Sequence, residues 1–152
     1  MGQITHEQAN LVLRLYELRR EPRLRQARAW VLGQFDASTP EEAQAKYPMG
    51  SEENASLRMV LSYWEMATGL ANRGLVDEEL FFENSGEAWF VWERVKKVVE
   101  LQRVASRNPV YLIHIENFAK RFEKWRQQVA PGWIEAMRGA LAKAQLAAKS
   151  GN

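Results

Sequence analysis

Residues 56–80 read SLRMVLSYWEMATGLANRGLVDEEL, and this stretch decides the fold. A helix turns about 100° per residue. On that wheel Leu57, Val60, Leu61, Trp64, Thr68 and Ala71 share one face. Met59, Tyr63, Met66 and Leu70 form a second face roughly 130° away. Arg58, Ser62, Glu65, Gly69, Asn72 and Arg73 are left on a narrow polar arc. A helix apolar over more than half its circumference must be contacted on two sides. The spacing therefore predicts a central helix over 52–73, capped by Ser51 and stopped at Gly74, with Asp77 opening the next helix.

Outward from this helix the pattern stays helical. Thr5 caps a stripe of Leu11, Val12, Leu15 and Leu18, and Pro22 opens a second helix carrying Leu24, Ala27, Val31 and Phe35. Thr39-Pro40-Glu41-Glu42 starts a short helix that Tyr47-Pro48 ends. A valine-rich helix carries Val91, Trp92, Val95 and Val99; valine's low helix propensity means tertiary burial must hold it. Asn108-Pro109 reads as the cap of a helix striped by Tyr111, Ile115, Phe118, Phe122, Trp125 and Val129. Pro131-Gly132 precedes the last helix. No alternating strand pattern and no internal repeat occurs. The expectation is an all-α, single-domain bundle over 1–148, with about six main helices and two short ones, and a disordered tail at 149–152.

The 152 residues suffice for one domain with a full core, and 46% hydrophobic content is ordinary for a globular chain. The absence of Cys excludes disulfides, thiolate metal sites and Cys nucleophiles. No apolar run approaches the roughly 20 residues that span a bilayer. The N-terminal residues do not read as a signal peptide, so a cytoplasmic location is expected.

Tyr63-Trp64-Glu65, Arg73 to Asp77 with Leu80-Phe81, Trp89 and Trp92, Arg103, and Tyr111 to Glu116 together resemble an uncharacterised bacterial family, a domain of unknown function. Its pattern is an aromatic-Glu in a long helix, a Gly-x-x-Asp turn, a Trp-bearing helix ending in Arg, and a Tyr followed by Glu. The resemblance covers roughly Leu11 to Trp125. It implies an all-helical fold and no established activity. Some relatives carry an N-terminal hydrophobic anchor, which this sequence does not show. Their Trp-bearing helix often holds a Pro before its Arg; Lys96, Lys97, Val98 and Val99 stand here, implying a straighter helix.

Four constellations bear on chemistry. Glu65, Arg103 and Glu116 read either as an acidic pocket or as a clamp in which the Arg sits between two carboxylates. His114-x-Glu116 points its side chains about 200° apart, the wrong spacing for a shared metal, so no metal or cofactor is expected. Arg14, Arg19, Arg20, Arg23, Arg25 and Arg28 form a basic patch that would track phosphates or an anionic surface, or else a solvated face. Phe81, Phe82, Trp89 and Phe90 read as an aromatic interface or as core. No nucleotide-binding or hydrolase motif is present. The leading reading is a non-enzymatic module acting through a protein partner or as a homodimer. Nucleic-acid or anionic-surface binding through the Arg patch, and a sensor or enzyme built on Glu65, Arg103 and Glu116, stand as alternatives.

Overall fold

Five of the helix starts are set by single side chains. Thr5, Thr39, Ser51 and Asp77 each accept the backbone N–H three residues on, at 3.2, 3.1, 3.2 and 2.9 Å. Glu21 takes the N–H groups of Arg23 and Leu24. These caps open α1 (His6–Arg19), α3 (Pro40–Lys46), α4 (Glu52–Asn72), α5 (Glu78–Asn84) and α2 (Pro22–Gly33). After them come α6 (Glu87–Ala105), α7 (Ile113–Val129) and α8 (Trp133–Ser150). The structure, a computed structural model, describes residues 2–151. Among these the fold is all-α, with six longer helices and two short ones, as the periodicity requires. Helix α8 runs to Ser150, while Asn152, part of the expected tail, lies outside the described residues.

Within this all-α domain two compact units separate, Met1–Ala119 and Lys120–Asn152. In the first, α4 packs against α2, α5 and α6. Val60, Trp64, Ala67 and Thr68 of α4 are wholly buried, as are Ala27 and Val31 of α2 and Val91 of α6. Each buried valine contributes about 1.5–3 kcal/mol relative to exposure, which offsets its poor helix propensity. Phe81 and Phe82 both meet Phe118 edge-on at 5.5 Å. In the second unit the Arg126 guanidinium lies 4.8 and 4.6 Å over the Trp125 and Trp133 rings. Arg138 pairs with Glu123 there at 2.6 Å.

Two details depart from the sequence expectation. The second apolar face of α4 is only partly covered. Tyr63 is buried and its hydroxyl donates to the Leu15 carbonyl of α1. Met66 is 44% exposed, and Met59 and Leu70 are half-buried. Helix α7 also begins at Ile113 rather than at Asn108-Pro109. Asn108 instead accepts the Val110 N–H in a turn, and Leu112 adopts a left-handed φ of 55° that breaks any helix there.

Candidate functional site

Glu65 projects from α4 to the start of α7. Its carboxylate accepts the backbone N–H of His114 at 2.8 Å and of Ile115 at 3.2 Å. It is a cap supplied from outside the helix, which answers the unfilled donors and positive end of α7's first turn. Arg103 of α6 donates through Nε to the Tyr111 carbonyl at 2.8 Å and through Nη1 to Glu116 at 3.1 Å. Arg103 therefore does not sit between the two carboxylates, as the clamp reading held. It pairs with Glu116, while Glu65 bonds the backbone. Together they pin the connection 106–112 from both sides and hold buried Leu112 in its strained conformation, a cost of order 1 kcal/mol. Burial pushes the Tyr111 phenol up, and the Glu65 charge adds to the shift.

His114 and Glu116 point apart, as two-residue helical spacing requires. Glu116 faces Arg103, and the His114 ring faces α4. Nδ1 of His114 lies 3.3 Å from Asn72 Nδ2, and Nε2 lies 3.3 Å from Arg73 Nη1. Gly69 makes this approach feasible. A Cβ at that position would meet Arg73 Nη1 at 3.0 Å and the His114 ring at 3.3 Å. Beside this corner runs an open groove of about 1050 Å³ between α4 and residues 110–114. Met59, Met66 and Leu70 line one side, Val110 and Leu112 the other, with Arg58 and Arg73 also on its wall.

The family described as Domain of unknown function (DUF4760) matches residues 4–125. The chain belongs to this family. Comparison with the curated proteins and with the solved structures found no match in either. In this DUF4760 domain, Glu65, Arg103, Tyr111 and Glu116 of the motif pattern all serve one structural end, the α6–α7 connection that walls the groove.

Most of the basic patch has partners within the chain, at the surface for Arg14 and part-buried for Arg28. Arg28 binds Glu87 through two bonds of 2.7 and 2.6 Å and donates to the last turn of α1 at Arg19. The hydrogen bond to Glu87 raises the Arg28 pKa against the cost of its burial. Arg23 reaches Glu52 at 3.1 Å, and Arg14 lies 3.7 Å from Glu17. Arg19 donates to the Asn84 carbonyl that ends α5 and lies over the Tyr16 and Trp64 rings. Arg20 also lies over Tyr16, and Arg25 is exposed. Of the aromatic set, Phe81, Phe82 and Trp89 are 2%, 3% and 0% exposed and belong to the core; Phe90 is half-buried against Trp89. Sequence reasoning missed the corner formed by Asn72, Arg73 and His114. The polar arc of α4 was its one available signal, and nothing joined that arc to His114.

Proposed function

We propose that this domain is a non-enzymatic protein-interaction module that takes a segment of another protein in the groove along α4. The supporting observation is the groove itself: an open apolar strip on the helix that carries the core residues Val60, Trp64 and Ala67, with Met66 at 44% and Val110 at 63% exposed. Methionine side chains adapt to varied partners. An acid–base role for Glu65 and Glu116 finds less support, because each carboxylate already has a structural partner. Phosphate tracking by the Arg patch is weakened by the three guanidiniums that lie beside carboxylates.

The test is a photo-crosslinking residue placed at Met66, with the exposed Lys97 as control position. The expected result is a discrete protein adduct from position 66 alone, lost when Val110→Asp puts a charge on the groove wall. Equal labelling from both positions would overturn the proposal, and an adduct of twice the chain's mass would make the occupant a second copy.

A further inference from the structure

The groove is cationic as well as apolar, and its charges have no anion. Arg58 donates through Nε only to the neutral Asn54 side chain, and Arg73 donates to the Gly69 carbonyl. Among the described residues neither guanidinium pairs with a carboxylate. Glu65 is the one acid on the wall, and its oxygens face the N–H groups that open α7.

The corner at Arg73 is short of acceptors in a definite way. Asn72 Nδ2 donates to the His114 carbonyl at 3.0 Å, which turns its NH₂ group toward the ring. Both ring nitrogens of His114 thus face N–H donors, Asn72 on one side and Arg73 on the other. A neutral imidazole offers one lone pair. Whichever tautomer is present, one of these contacts sets N–H against N–H, and an imidazolium makes both so. A carboxylate oxygen placed between Arg73 and His114 removes the conflict and takes charge-assisted bonds.

Arg58 of α4 and Arg73, the residue that ends it, stand fifteen residues apart. At 1.5 Å per residue this is about 22 Å, or four turns. Between them Met59, Met66 and Leu70 recur along one side of the groove, the spacing that receives the ridge of a second helix. Strand addition would need a sheet edge, and the described residues contain no strand; a polyproline segment docks on aromatic-lined grooves, whereas Tyr111 is the one aromatic residue on this wall. A fatty acid carries a single carboxylate, whereas this groove is cationic at both ends.

We infer that the occupant is an acidic amphipathic helix of a partner protein, with carboxylates about four turns apart, one of them seated between Arg73 and His114. This rests on the reading of the groove as a protein-binding face.

The test uses a labelled synthetic amphipathic helix with two Glu about fifteen residues apart, matching the arginine separation. Its controls are a Gln twin and a twin with the Glu pair about seven residues apart, two turns. Binding to the full chain is read by fluorescence anisotropy at low salt, with palmitate as competitor. The first peptide is expected to bind about 10-fold tighter than either twin. Arg73→Gln and Arg58→Gln should each weaken it several-fold, and Arg73→Lys should recover part of the loss. Melting curves check that these exposed-site variants fold. Equal binding of the Gln twin overturns the acidic occupant and leaves the groove as an apolar interface. Stronger binding of palmitate, sensitive to Arg73 alone, overturns the helix in favour of a lipid. If no peptide binds while the Met66 crosslink still yields a partner, this inference falls and the interaction module stands. If neither result appears, both fall.

Discussion

Glu65 accepts two backbone N–H groups of α7, so its removal tests a cap. Glu65→Ala should lower stability by about 1–2 kcal/mol in urea unfolding, and Glu65→Gln by less, since an amide oxygen still accepts one N–H. A loss below ~0.5 kcal/mol for the alanine variant would remove the capping role. Tyr63 presents a different residue-scale case. Its hydroxyl answers the Leu15 carbonyl, and burial raises its pKa above the ordinary 10.0. The unfolded chain loses that proton at lower pH than the folded one. Folding therefore holds the proton, and stability falls as pH rises past the unfolded value. Tyr63→Phe should cost about 1 kcal/mol at neutral pH and flatten the alkaline loss, which chemical denaturation between neutral and strongly alkaline buffers would show.

At the scale of elements, charged side chains of the first unit close helix ends. Glu21 caps the start of α2, and Arg94 of α6 closes the other end of that helix with bonds of 3.0 and 2.7 Å to the Leu32 carbonyl. Arg28 does the same for α1, and Arg19 for α5. Each places charge where the helix dipole favours it. The Glu21 carboxyl is held below its ordinary 4.5 by the N–H of Arg23 and then that of Leu24. A lowered carboxyl stabilises the fold above the unfolded pKa, and the contribution disappears as pH falls through the folded value. Acid unfolding of Glu21→Gln should therefore lack one component of the wild-type loss below pH 4.5. Coincident acid curves for the two proteins would show that this cap adds nothing.

For the whole molecule, a formal charge of +2 and the carboxylates beside Arg14, Arg23 and Arg28 limit electrostatic reach. Binding to duplex DNA should be weak, with a log–log salt slope no steeper than about −3, the value for roughly three phosphates. A slope near −5, corresponding to about six phosphates, would mean that the pairs open and that the patch acts as one surface. No helix of the described residues is long and apolar enough to cross a membrane. The groove along α4 is an apolar feature of the first unit that its own packing leaves uncovered.

The sequence by itself determined the all-α fold, because apolar periodicity and cap residues act over three or four positions and need no knowledge of distant partners. Ser51, Thr39, Asp77 and Gly74 end or begin helices where their chemistry says they must. It also placed Glu65 and Gly69 together on the narrow polar arc of α4. The start of α7 was misread, because Asn108-Pro109 carries a local cap signal whereas the true cap is a side chain 49 residues away. Only the tertiary structure decided what faces Glu65: backbone N–H groups, not Arg103. It alone showed that Arg19 and Arg28 end helices, that Phe81, Phe82 and Trp89 are core, and that Arg73 and His114 meet over Gly69. Apart from the Arg28 bond to Arg19, such contacts join residues 36 to 65 positions apart. They follow from how helices pack, which local periodicity does not encode.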